Sequence, residues 1–319
     1  MPRQPSQLLF ALAAFESNSA KEHMIREAVI AGVVLLSPAT LRAQEAALIQ
    51  PYSEADCPSC GEWNEPNRPV HLFGNTYYVG TRGLAAILVT SQDGHILIDG
   101  GLPNSAPLIL GNIRSLGFRP SDIRYILNSH AHYDHAGGLA ALQQVTGARV
   151  LASYESALVI RSGRPGRNDP QHDVALPMPP VEDVQVLEPG TVVRAGDVAL
   201  TMHLTAGHTP GGTTWSWRSC EGERCLDFVY ADSQTPISQD AFRFSDSPDY
   251  PTAVSDFERG HALLERIPCD VLITPHPGAS ALWDRARTAP DGLIDTGACA
   301  RYAAAARRQL ESRLERERQ

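Results

Sequence analysis

The run Ser129-His130-Ala131-His132-Tyr133-Asp134-His135-Ala136-Gly137-Gly138 places three imidazoles and one carboxylate within six positions. Imidazole nitrogens and carboxylate oxygens are the donors that a catalytic Zn²⁺ takes, with one coordination position left open for water. Two further histidines sit in comparable surroundings. His208 lies in Gly207-His208-Thr209-Pro210-Gly211-Gly212, and His276 lies in Thr274-Pro275-His276-Pro277. Alone, each reads as an ordinary loop histidine. Added to the first run they complete six candidate ligands, three for each of two ions, as a two-metal hydrolytic site requires.

Those donors need elements to bring them together. The apolar run 124–128 (RYILN) reads as a buried strand that delivers His130 at its end. The stretch from 136 to 146 reads as a helix stopped by Gly147, so the metal-ligand run is a strand-to-helix loop. Residues 70–80, 85–91 and 95–99 read as strands parted by Gly-containing turns, and 148–152 as another. Helical spacing covers 105–116 and 252–266. After the Pro- and Gly-rich loop 162–183, a long loop of the functional kind, the strand pattern resumes in VQVLE, VALTMHLTAG, TTWSWRS and LDFVYAD. His276 follows the strand-like VLIT, and the tail 299–318 reads as a solvated helix. Strands and βα units in two similar halves predict an α/β fold, a four-layer αβ/βα sandwich of two mixed β-sheets with helices on the outer faces. Trp215 and Trp217 alternate on one strand and read as core.

The order HxHxDHxGG, GHTPGG and a strand-end histidine resembles the metallo-β-lactamase superfamily over roughly residues 65–310, and within it subclass B3. The resemblance implies two Zn²⁺ ions, one held by His130, His132 and His208, the other by Asp134, His135 and His276. It implies a hydroxide shared by the ions that attacks the lactam amide of penicillins, cephalosporins and carbapenems, with Asp134 as the catalytic residue that orients it and relays a proton. Ser233 and Thr235 resemble the hydroxyls that hold the substrate carboxylate, and Gln171 resembles a substrate-contacting glutamine. Subclasses B1 and B2 place a cysteine ligand on the loop before the last histidine. Here that loop reads Tyr230-Ala231-Asp232-Ser233-Gln234-Thr235 and has none. A lactonase or thioesterase of the same fold is the alternative, with Asp232 bridging both metals; a non-catalytic zinc-binding protein is a further one. Asp99 is expected to bond toward the metal site as an orienting residue.

The remaining features set the context. Residues 1–43 read as an N-terminal extension and signal peptide, with the start at Met24 and cleavage after Ala43, and residues 44–319 as one domain. The expected location is therefore the periplasm. Six cysteines beside a leader suggest disulfides. Local spacing favours Cys220–Cys225, Cys269 with Cys299 would tie a core strand to the C-terminal helix, and Cys57 and Cys60 form a small disulfide or remain two thiols. A net charge of −9 gives no basic footprint for nucleic acid and does not favour an anionic membrane. The expected partner is a small β-lactam, and the expected state a monomer. His23, His71, His95, His172, His203 and His261 are not expected to bind zinc.

Overall fold

The computed structural model describes residues 47–288 and 291–319. The expected leader, residues 1–43, lies outside the described residues.

Two sheets carry the architecture. The first contains β1 (Val70–Phe73), β2 (Thr76–Tyr78), β3 (Ile87–Val89), β4 (His95–Ile98), β5 (Ile123–Leu127), β6 (Arg149–Ala152) and β7 (Val184–Val186), side by side in chain order. Pairing is antiparallel from β1 to β4 and parallel from β4 to β7. The second contains β8 (Val192–Ala195), β9 (Val198–Leu204), β10 (Thr213–Glu221), β11 (Arg224–Tyr230) and β12 (Val271–Ile273), in the order β12-β11-β10-β9-β8. Only β11 and β12 pair parallel there. The helices are α1 (Cys60–Trp63), α2 (Ala106–Ser115), α3 (Tyr133–Ala136), α4 (Leu139–Thr146), α5 (Tyr154–Ser162), α6 (Ala253–Leu264), α7 (Leu282–Ala286) and α8 (Ala298–Glu317).

Strand alternation explains the layers. Ile87, Val89, Ile96 and Ile98 face the second sheet and pack with Trp215, Trp217, Phe228 and Ile273. Leu88, Leu97, Ile126 and Val150 point the other way, onto α2, α4 and α5 through Ile109, Leu142 and Ala157. Beyond the second sheet, Val229 and Leu272 pack on Leu264 of α6 and Ala303 of α8. The result is the four-layer sandwich with two mixed sheets that the pattern predicts. Each fully buried Ile or Leu contributes about 1.5–3 kcal/mol. Strands apolar on both faces therefore resist a register slip, and the loops at their ends are fixed.

Several local expectations are refined. Residues 70–80 form a hairpin, β1 and β2, rather than one strand. Helix α8 is not solvated all round: Cys299, Ala303, Ala306 and Leu310 are buried along one face. Helix α5 and strand β8 lie in stretches where the sequence reading placed no element. The cysteines pair as Cys57–Cys60, Cys220–Cys225 and Cys269–Cys299. Among the described residues, no helix is long and apolar enough to cross a membrane.

Candidate metal centre

β5 ends at Leu127, and the chain turns through Ser129 and His130 before α3 begins at Tyr133. Asp99, just past β4, fixes this turn. Its Oδ1 accepts from the Ser129 backbone N–H at 2.7 Å; its Oδ2 accepts from the Ser129 hydroxyl at 2.6 Å and the Tyr230 hydroxyl at 2.7 Å. Asp99 adopts a left-handed φ of 62°, a conformation that costs an L-residue roughly 1–2 kcal/mol and that these three bonds offset. Burial raises its carboxyl above the usual range, against the opposing pull of His135, Ser129 and Tyr230. Asp99 thus orients the backbone that precedes His130 rather than bonding an imidazole itself.

The donor nitrogens of His130, His132 and His208 lie within 4.8 Å of one another, all buried. The same limit joins His130 to Asp134 and His135, so two donor groups are adjacent. His276, at the end of β12, completes the second group: its Nε2 is 3.1 Å from Asp134 Oδ2, as is Nε2 of His135. Gly207 allows the approach of His208. Its φ is 141°, and a Cβ there would lie 2.5 Å from the Phe257 ring of α6. His71, His95, His172, His203 and His261 join neither group, and His23 lies outside the described residues.

Each imidazole of the first group is tied at its outer ring nitrogen. His130 Nδ1–H donates to Asp232 Oδ1 at 2.7 Å. His132 Nε2–H donates to both oxygens of Asp169, at 3.1 and 3.2 Å. His208 Nδ1–H donates to the Thr235 carbonyl at 2.9 Å. This leaves one nitrogen of each ring facing the others, the arrangement by which outer partners fix tautomer and orientation of metal-binding histidines. His135 is fully buried; its Nε2 stands 3.1 Å from Asp134 Oδ2 but neither ring nitrogen makes a well-aligned hydrogen bond, and an unpaired buried nitrogen costs about 1–3 kcal/mol, which a bound cation would remove at one of them. These donors fit a divalent metal.

The electrostatics agree. Burial, reinforced by the neighbouring imidazoles, pushes His130 well below its ordinary pKa. His208 is lowered to about 4, by burial and then His132. Both rings therefore keep a lone pair at neutral pH. His132 is raised, because Asp169 outweighs its burial. Burial would raise Asp134, but His135 and His276 hold it well below the carboxylate range.

Two of the residues expected to meet substrate come close to this centre through His208: the Thr235 carbonyl and the Gln171 side chain. Ser233 and Thr235 follow β11 on the loop that carries Asp232 and holds His208. Gln171 reaches inward, its Nε2 3.5 Å from His208 Nε2. Asp232 lies in neither donor group; its side chain hydrogen-bonds the outer nitrogen of His130. Asp169 was not singled out from the sequence as a partner of His132. Neither was Trp63, whose ring lies 5.1 Å from that of His276. Asp169 has only its place before Pro170 in a long loop as a signal.

The family model of the metallo-beta-lactamase superfamily matches residues 79–287. Among solved structures, the Rm3 metallo-beta-lactamase is 50% identical, with 84% of this chain and 100% of that one covered and a TM-score of 0.81. MEM-A1, a subclass B3 metallo-beta-lactamase isolated from a soil metagenome library, is 47% identical over 80% of this chain and 98% of that one, with a TM-score of 0.79. A hydroxyacylglutathione hydrolase of Anaeromyxobacter dehalogenans is 33% identical over 121 residues, 38% of this chain and 37% of the relative. The chain spans between 37% and 54% of the length of the first curated relatives that it matches. Fold, donor order and the two solved neighbours agree: the chain belongs to the metallo-β-lactamase superfamily and, within it, to subclass B3.

Proposed function

We propose that the chain is a zinc-dependent β-lactamase that hydrolyses the lactam amide of penicillins, cephalosporins and carbapenems and so gives resistance to them. The observation that carries the reading is the pair of adjacent donor groups, the first with its outer nitrogens already tied. His130, His132 and His208 would hold one Zn²⁺, and Asp134, His135 and His276 the other. When bound, such a pair lowers the pKa of water and polarises a carbonyl oxygen, which amide hydrolysis at neutral pH needs.

The chain's own residues do the rest. Asp134 stays ionised beside His135 and His276. It accepts a hydrogen bond from the attacking water and relays the proton toward the departing lactam nitrogen. Ser233 and Thr235 donate hydroxyl hydrogen bonds to the substrate carboxylate, a charged acceptor that strengthens each bond. Gln171 offers its side-chain amide from the opposite loop. Export through the N-terminal leader to the periplasm, and action as a monomer, belong to the same reading. Three closed cysteine pairs support an oxidising compartment.

The test is meropenem hydrolysis by the purified chain, followed by absorbance, with and without a zinc chelator. Turnover that the chelator abolishes is expected. A folded, zinc-loaded chain that leaves meropenem intact refutes the reading; turnover of lactones or thioesters instead would identify another hydrolase, and two bound zincs with no turnover of any of these would identify a zinc-binding protein.

A further inference from the structure

We propose that the Cys57–Cys60 disulfide is a positioning element of the metal centre: it fixes α1 so that the Trp63 indole seats His276, and opening it weakens the ion held by Asp134, His135 and His276. The inference rests on the two-ion reading above.

His276 is the weakly held member of the set. Its side chain is 34% exposed, against 1% for His135 and 9% for Asp134. The rings of the first group are oriented by a hydrogen bond at their outer nitrogen. Among the described residues, Nδ1 of His276 has no such partner; the ring's recorded contacts are Asp134 at Nε2, the His135 ring at 4.8 Å and the Trp63 ring at 5.1 Å. Orientation of this imidazole therefore depends on packing, and Trp63 supplies the side away from the buried core.

Trp63 in turn depends on α1. That helix has four residues, far too few to be stable alone. Two things hold it. The Trp63 carbonyl accepts from the Thr81 hydroxyl at 2.7 Å and the Gly83 N–H at 3.0 Å. Gly83 permits this approach, since a Cβ there would lie 2.6 Å from Trp63 Cα. The second hold is the disulfide, which joins the first residue of α1 to Cys57 in the preceding turn. Both sulfurs are buried with Leu84 and Leu102. Cys57 Sγ is also 3.8 Å from the hydroxyl of Tyr133, which stands between His132 and Asp134 in sequence.

A bridge between residues three apart removes about half the chain entropy that Cys269–Cys299 removes with its separation of 30. Global stability is thus only part of its account. What it constrains is the turn that carries Trp63.

The test compares the double variant C57S/C60S with wild type, W63A, W63F and the control C220S/C225S. Zinc uptake is titrated in competition with a chromophoric chelator, with circular dichroism to monitor folding. C57S/C60S and W63A are expected to take up the first zinc as wild type does and the second roughly 10- to 100-fold more weakly, the usual effect of losing a group that orients a ligand. W63F, which keeps a ring against His276, should restore most of the affinity, and C220S/C225S should match wild type at both steps. Unchanged second-zinc affinity in a folded C57S/C60S or in W63A overturns the proposal, as does equal weakening in C220S/C225S. A wild-type chain that takes up fewer than two zincs overturns the two-ion reading, and this inference with it.

Discussion

Replacing Asp232 with asparagine separates the lactamase reading from the lactonase one. In the structure Asp232 Oδ1 accepts from His130 Nδ1–H at 2.7 Å, with both side chains fully buried. A hydrogen bond to a charged group contributes about 1.5–3 kcal/mol and a neutral one about 0.5–1.5 kcal/mol. Burial raises the Asp232 carboxyl well above its ordinary range, so asparagine keeps the acceptor and the loss of charge costs at most about 1 kcal/mol. Its amide nitrogen then takes the place of Oδ2, which is buried with no hydrogen-bond partner, at a further cost of about 1–3 kcal/mol. Part of that total falls on folding and part on the orientation of His130. The expected result is a chain that still binds two zincs, with first-site affinity weakened about 10- to 100-fold. Zinc content after dialysis at defined free zinc, together with meropenem turnover, measures this. If Asp232 bridges the two ions, its carboxylate is a direct ligand, and the variant drops to one zinc or none even at saturating zinc. That outcome refutes the orienting role and favours a lactone or thioester as substrate.

The other predictions concern ligand, substrate and proton. His276→Ala should bind one zinc fewer and lose about two orders of magnitude in turnover, since several kcal/mol of charge stabilisation go with that ion; zinc content that stays unchanged would remove His276 from the ligand set. Ser233→Ala and Thr235→Ala should each raise KM about 10- to 100-fold with kcat little changed, because a hydrogen bond to the carboxylate is made equally before and during reaction. Steady-state kinetics in which kcat falls instead would place these hydroxyls in the chemical step. His261 is fully buried on α6, and burial, aided by Arg307 and opposed by Glu265, lowers its pKa to about 4. The unfolded chain protonates this ring first, near about pH 6.5. Stability is therefore present above that pH and is lost on acidification toward pH 4, by up to about 3 kcal/mol. Urea denaturation of the metal-free His261→Leu variant should show a shallower loss between pH 7 and 4.5 than wild type; identical slopes would count against it.

The parts legible in the sequence are those written locally. The donors from His130 to His135 fall within six positions, although the structure places Asp134 and His135 on the short helix α3 rather than on the expected loop, and the strand before them is apolar enough to declare itself. The parts that were missed depend on partners distant in the chain or on weak hydrophobic signals. Asp169 meets His132 across 37 positions, and its place before Pro170 is the one local feature that sets it apart from Asp173 in the same loop. Trp63 meets His276 across the whole domain. Helix α8 buries Cys299, Ala303, Ala306 and Leu310. Those positions recur at helical spacing, but small side chains set among Arg and Glu carry little hydrophobic contrast. Helix α5 does carry a local start signal, Ser153, whose hydroxyl accepts from the Ser156 N–H. The neighbouring Pro- and Gly-rich loop obscured it.

The outer ties of the first donor group have a consequence for specificity. Asp232 and Thr235 belong to one loop, Asp169 to the other, and the same two loops carry Ser233 and Gln171. His208 is held by a carbonyl, the backbone of Thr235, so a side-chain change at position 235 can alter substrate contacts and leave that tie intact. A change in the loop's backbone path cannot, because it moves the acceptor of His208 and the carboxylate that orients His130 together. On the proposed substrate assignments, side-chain changes at Gln171, Ser233 and Thr235 are expected to retune substrate preference, whereas insertions or deletions between Ala231 and Pro236 should cost zinc affinity before they change which lactam is preferred.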